Sequence, residues 1–303
     1  MGEIFQRSFV AVRAVYSTIF ILALVSPITA DWCYTELPCG PATWGSMGFC
    51  NGSRQSPVNI VDGSVQLNSS LGAFTFINYS DTSKILALNN PGHTVEVLLD
   101  KGMTLSGGGL PSTYSAYAFH FHWGNGTLPG SEHRLGGQQF PMEMHIVHLK
   151  EGMSVAEAKN DSTGIAALGF FIDVGTSANM SQLTDLVNLL PNVSNPGTRV
   201  NISSNFSIDT ILGNVDRTSY YRYLGSLTTP TCDESVIWTV FKNPILVPAS
   251  VIQAFSSSLV SNISVTNSFV TNNFRPLQAL NGRIVQSSFM VNSSSTPSTT
   301  PIP

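Results

Sequence analysis

Several short stretches alternate apolar and polar positions with a period of two, the pattern of strands that bury one face. Thr94-Val95-Glu96-Val97-Leu98 reads this way. Tyr117–Trp123 (YAFHFHW), Met142–Leu149 (MEMHIVHL), Ile165–Val174 and Val236–Phe241 are rich in aromatic or β-branched residues and are predicted as further strands. Gly and Pro punctuate the intervals, at Asn90-Pro91-Gly92, Gly107-Gly108-Gly109, Pro129-Gly130 and Gly136-Gly137. Helical spacing is sparse. Met180, Leu183, Leu186, Val187 and Leu190 follow the i, i+3, i+4 rule, with Pro191 expected to stop the run. Ser154-x-x-Glu157 resembles a capping box for a short helix. No linker divides residues 31–290, so the pattern predicts one mainly β (α+β) domain with few helices.

Composition narrows the class. Hydrophobic residues make up 42% of the 303, enough for a large core, and charged residues only 11%, against about 25% in typical soluble domains. The net charge is −4, and no Lys/Arg cluster offers a phosphate-binding surface, so no nucleic-acid partner is expected. The apolar fraction is too high for disorder.

The two ends place the protein outside the cell. Residues 1–30 have the pattern of a secretory signal: Arg7 and Arg13, an apolar run from Tyr16 to Val25, and Pro27-Ile28-Thr29-Ala30 with cleavage expected after Ala30. That run is shorter than the roughly 20 apolar residues that span a bilayer. Eleven Asn-x-Ser/Thr sequons, beginning with Asn51, Asn68 and Asn78, suggest that glycans supply solubility that charge does not. Residues 291–303 form a Ser/Thr/Pro-rich tail expected to be disordered. A glycolipid anchor needs a hydrophobic segment beyond such a tail. Membrane attachment is therefore expected only through an anchor signal not visible in this sequence. An exported chain can keep disulfides, and Cys33, Cys39, Cys50 and Cys232 allow three pairings among which the spacing does not choose.

The histidines carry the chemistry. Residues two apart in a strand share a face, with Cα atoms about 6.5–7 Å apart, so His120 and His122 project side by side. In the second strand Glu143, His145 and Val147 share one face, while His148 takes the other and is expected to be structural. If the two strands are neighbours, His120, His122 and His145 converge. Three neutral imidazoles with an open fourth position make a catalytic zinc site. Glu143 stands where it can accept from the second ring nitrogen of His145 and so orient that ligand.

Around these residues the chain resembles the α-class carbonic anhydrases. Ser131-Glu132-His133 followed by Gln139-Phe140-Pro141-x-Glu143-x-His145-x-Val147-His148 is similar to that family's signature. Phe119-His120-Phe121-His122-Trp123-Gly124 resembles its first ligand strand, and Ser226-Leu227-Thr228-Thr229-Pro230 its active-site loop. Arg54-Gln55-Ser56-Pro57-Val58-Asn59-Ile60 and Asn273-Phe274-Arg275-Pro276 resemble its N- and C-terminal segments. The five matches run in order from about residue 31 to 290. Trp32-Cys33-Tyr34 and Thr231-Cys232-Asp233-Glu234 are most like the extracellular, glycolipid-anchored branch.

The resemblance implies a large twisted, mostly antiparallel central sheet. It implies a Zn²⁺ cofactor on His120, His122 and His145, and reversible hydration of CO2 to bicarbonate by attack of a zinc-bound hydroxide. Thr228 would accept a hydrogen bond from the hydroxide and donate its own to Glu132, and its N–H would receive substrate oxygen. Thr229 would shape the polar side of the site. Val147, Ala167, Leu227, Val236 and Trp238 would form an apolar CO2 pocket, Asn273 and Glu143 would support ligands, and His93 would shuttle protons. Cys33–Cys39 and Cys50–Cys232 pairing is also implied, in a secreted monomer. The chain departs from the family at Ala118, where a Gln usually orients the first ligand, at Ala167 in place of Val, and at Leu224 in place of Pro. The alternative is a weak or inactive extracellular binding or matrix domain of the same family; all three candidate ligands are present.

Overall fold

The computed structural model describes residues 32–34, 38–176, 182–203, 205–261 and 268–291. The proposed leader, the tail beyond Val291, Met180 and the sequons at Asn179, Asn262 and Asn292 lie outside them. A twelve-stranded sheet dominates. Ten strands form one path: β1 (Gln66–Leu67), β2 (Ile85–Asn89), β3 (Glu96–Leu99), β4 (Tyr114–Trp123), β5 (Met142–Lys150), β6 (Ile165–Val174), β7 (Arg199–Asn201), β8 (Tyr220–Gly225), β9 (Val236–Val247) and β10 (Gln286–Ser287). Their order across the sheet is β7-β2-β3-β4-β5-β6-β9-β8-β10-β1. Phe74–Ile77 and Thr104–Gly107 pair beside β4 and complete the twelve. Pairing is antiparallel along the path except at β6–β9 and β10–β1, which are parallel.

Four short α-helices occur among the described residues, the longest being Ala249–Ser258. Val155–Asn160 carries the expected capping box, with the Ser154 hydroxyl accepting from the Glu157 N–H and the Glu157 side chain accepting from the Ser154 N–H. Pro191 does not stop the other expected helix. The α-helix covers Leu183–Val187, and a 3₁₀ turn, Leu190–Val193, follows with the proline at its start. A missing N–H costs nothing there, because the first helical N–H groups have no intrahelical acceptor.

Alternation sorts side chains between two cores. Phe119, Phe121 and Trp123 of β4 turn into the larger one, with Ile146, Leu168, Phe170 and the apolar faces of the helices. The opposite face carries a smaller apolar cluster that includes Ala167, Val236, Trp238 and Tyr223, and on this face His120 and His122 stand. Burying a large apolar side chain contributes about 1.5–3 kcal/mol, so a register slip in β4 would forfeit several such terms while burying the histidines in the wrong core.

Strand boundaries shift where side chains intervene. The strand expected at Thr94 begins at Glu96, because the Thr94 hydroxyl donates to the Phe121 carbonyl (2.6 Å) and bends the entry. β9 continues past Phe241 to Val247, through Pro244. The register with β6 jumps between Phe170–Phe241 and Ile172–Ile245, and this bulge accommodates a proline that a regular ladder would exclude. The disulfides are Cys33–Cys39 and Cys50–Cys232, the second joining residues 182 apart.

Candidate active site

β4 and β5 are antiparallel neighbours, with His120 opposite His145 and His122 opposite Glu143. The three imidazoles therefore meet: ring centroids are 5.1 Å apart for His120–His122, 5.2 Å for His120–His145 and 4.6 Å for His122–His145. One nitrogen of each lies within 4.8 Å of the others.

Hydrogen bonds at the far nitrogens orient two of the rings. His122 Nδ1 bonds to the Asn273 carbonyl at 2.7 Å. His145 Nε2 bonds to Glu143 Oε1 at 2.6 Å. This leaves His122 Nε2 and His145 Nδ1 turned to the shared space, where His122 Nε2 is buried without a hydrogen-bond partner. Burial pushes His122 down to about 4 and also lowers His120 and His145, so all three rings are neutral donors at pH 7. Three neutral nitrogens, one of them orphaned, fit the donor set of a catalytic zinc ion.

His120 is held differently. Neither of its ring nitrogens has a hydrogen bond among the described residues. Position 118 is a buried alanine that offers no acceptor. Glu96 pairs with His120 across the strands, but its carboxylate accepts from Asn89 Nδ2 at 3.4 Å.

Glu143 is fully engaged. Its oxygens accept from the His133 backbone N–H (2.8 Å), from His133 Nδ1 (2.7 Å) and from His145. Burial alone would raise its pKa, but His133 and His145 together hold it well below the usual carboxylate range. His133, Glu143 and His145 also gather within metal-binding distance; because hydrogen bonds knit them, they form one support for the ligand His145. His133 Nε2 shares a further bond with the Tyr223 hydroxyl (2.6 Å), which reaches Ser56. Sequence reasoning gave neither His133 nor Tyr223 a role. His148 lies on the opposite face, bonded to Tyr79 and to the Ala166 carbonyl.

Glu132 faces the ligands, with Oε2 3.4 Å from His122 Nε2 and 3.9 Å from His145 Nδ1. Burial pushes its pKa up to about 7, against the pull of His145, the nearby Thr228 hydroxyl and the Arg275 N–H that donates to Oε1. Oε2 itself has no hydrogen-bond partner. Thr228 is buried and Thr229 half-buried beside it.

The five expected pocket residues lie in one apolar cluster. Ala167, Val236 and Trp238 are buried, and Val147 and Leu227 pack against them. Val147, Ala167 and Trp238 are opposite one another across β5, β6 and β9, and Trp238 reaches His145 with ring centroids 4.7 Å apart. Asn273 accepts from the Trp123 N–H and donates to the carbonyls of His93 and Phe121. His93 therefore borders the cleft, where its ring packs on Trp32.

The loop after β8 is tied on two sides. Cys232 is linked to Cys50, and its carbonyl accepts from Gln55 Nε2 at 3.2 Å. Arg275 in turn donates to Gln55 Oε1, Ser56 O and Cys50 O. The N- and C-terminal motifs thus brace the segment that carries Thr228.

Comparison with known proteins agrees with this arrangement. The family model of eukaryotic-type carbonic anhydrase matches residues 39–289. Carbonic anhydrase 4 of Oryctolagus cuniculus is 39% identical over 273 residues, covering 87% of each chain. Carbonic anhydrase 15 of Mus musculus is 36% identical, covering 86% of this chain and 84% of the relative. Carbonic anhydrase 12 of Homo sapiens is also 36% identical, covering 86% and 73% respectively. With its match across the whole sheet and its convergent histidines, the chain belongs to the eukaryotic-type carbonic anhydrase family and is an enzyme of that family.

Proposed function

We propose that the protein hydrates carbon dioxide reversibly to bicarbonate and a proton, with one zinc ion, in an extracellular setting. The observation that carries the reading is the convergence of His120, His122 and His145 on one space, with a buried, unpaired Nε2 on His122. When bound, zinc acts as a Lewis acid that lowers the pKa of water to about 7, a value established for carbonic anhydrases generally.

The protein's own residues do the rest. His122 and His145 are aimed by Asn273 and Glu143, and the negative charge on Glu143 makes His145 a stronger donor. Glu132 and Thr228 hold the attacking oxygen in one orientation, a positioning effect. The Thr228 N–H and Thr229 bind the developing oxyanion side of the substrate. Val147, Ala167, Leu227, Val236 and Trp238 take up neutral CO2 and exclude water. Asn273 holds the backbone of His93 at the mouth, where its imidazole exchanges the product proton with solvent.

Two disulfides and a density of sequons support secretion after removal of residues 1–30, with residues 31–290 as the catalytic domain and 291–303 as a tail. The described sequon asparagines are exposed except Asn68, which is half-buried. The protein acts as a monomer. Stopped-flow CO2 hydration by the zinc-loaded protein, with His122→Ala as control, tests the proposal. A rate no greater than that of buffer, or equal rates for the two proteins, refutes it.

A further inference from the structure

The face of β8 opposite Tyr223 carries a charge that the mechanism does not use. Arg222 is 6% exposed, yet no carboxylate pairs with it among the described residues. Its guanidinium donates only to neutral acceptors: Nε and Nη2 to Thr239 Oγ1 (3.2 and 3.0 Å) and Nη2 to the Gly108 carbonyl (2.9 Å). Nη1 makes no hydrogen bond among the described residues. The Phe74 and Tyr220 rings lie 5.8 and 5.7 Å from Cζ, which offsets part of the charge.

Deprotonation gives little relief. Burial pushes the guanidinium down to about 10, so it remains charged at pH 7. A buried cation with only neutral partners is costly, and a hydrogen-bonded counter-ion removes that cost.

The surroundings leave room for one. Arg222 lines a cavity of about 380 Å³ on the side of the sheet away from the histidines, and no acidic residue lines it. Gln286 lies opposite Arg222 on β10. Its Oε1 accepts from Asn68 Nδ2 at 3.1 Å, which leaves its Nε2 as a second donor. Gly109 lines the same cavity, and a Cβ built there would lie 3.7 Å from Nη1, which places this donor on the cavity side.

We propose that this cavity binds a small oxyanion of the bicarbonate, phosphate or sulfate class, held by Nη1 of Arg222 and the amide of Gln286. Planar and tetrahedral oxyanions both accept charge-assisted hydrogen bonds from a guanidinium N–H.

Metal-free protein separates this site from any anion bound at zinc. Its thermal midpoint should rise saturably with bicarbonate, phosphate or sulfate against chloride at equal ionic strength. The expected rise is about 3 °C or more at tenfold saturation, and the anion with the lowest half-saturation identifies the preferred ligand. Arg222→Met should lose the response, and Arg222→Lys, which keeps the charge without a donor fixed by Thr239 and Gly108, should need several-fold more anion. A selenate soak of wild-type crystals should show anomalous density at Arg222, and this soak decides alone if the variants do not fold. No saturable rise, an equal rise in Arg222→Met, or no density at Arg222 overturns the proposal.

Discussion

The imidazole of His93 lies against the indole of Trp32, with ring centroids 4.6 Å apart and planes inclined by 59°. Burial, and secondarily the neighbouring His122, push the His93 pKa down to about 4. An unfolded histidine titrates near 6.5, so the fold favours the neutral ring. The stabilisation is present above pH 6.5 and is lost as the pH falls through 4. In this position His93 is a weak proton acceptor at neutral pH. Trp32→Ala should raise its pKa toward 6.5, read by NMR titration, and should speed turnover at low buffer concentration. His93→Ala should slow turnover, with added imidazole restoring it. No effect of His93→Ala at low buffer would remove the shuttle role.

Ala118 predicts a second effect. Supporting partners of metal ligands are typically worth about 10–100-fold in affinity or activity, and His120 has none among the described residues. Ala118→Gln places an acceptor two residues before His120 on the same strand. Zinc affinity, measured by competition with a chelator, should rise by about tenfold or more. An unchanged affinity would mean that His120 is already held rigidly by packing.

Tyr223→Phe should destabilise the fold. The variant strips His133 Nε2 of its partner in a site where both groups are fully buried. A buried polar group left unpaired costs about 1–3 kcal/mol, to be read from urea unfolding. Zinc affinity should fall as well, because His133 steadies Glu143 and through it His145. Normal affinity in a destabilised variant would limit His133 and Tyr223 to a structural role.

Metal removal should lower the thermal midpoint. A ligand that binds only the native state stabilises by mass action, and the empty site leaves His122 Nε2 and Glu132 Oε2 unsatisfied in the interior. Calorimetry of chelator-treated and zinc-reconstituted protein checks this, with elemental analysis expected to give one zinc per chain. His122→Ala should show no difference between the two preparations.

The local half of the site was readable from the chain. Alternation over YAFHFHW put His120 and His122 on one face, and the same period put Glu143 beside His145. What escaped were contacts between distant segments. Tyr223 is 90 residues from His133, and no local pattern joins them. The strand Tyr220–Gly225 carries no readable alternation, since its tyrosines and Arg222 mask it. The burial that lowers the basicity of His93 includes packing on Trp32, which is distant in the sequence. Thr94 reads as a good strand residue by propensity, but its hydroxyl takes a tertiary partner instead.

The bridge between Cys50 and Cys232 has a consequence for biosynthesis. Chain-entropy arguments credit so long a loop with about 5 kcal/mol, but this contribution is withheld until 182 further residues have been made. At about 5–20 residues per second, the Cys50 thiol emerges roughly 10–40 s before its partner. During that interval it is exposed to wrong disulfides with Cys33 or Cys39. The support of the Thr228 loop is thus among the last parts of the molecule to be completed, and maturation of activity depends on an oxidising compartment that can also reshuffle mispaired thiols.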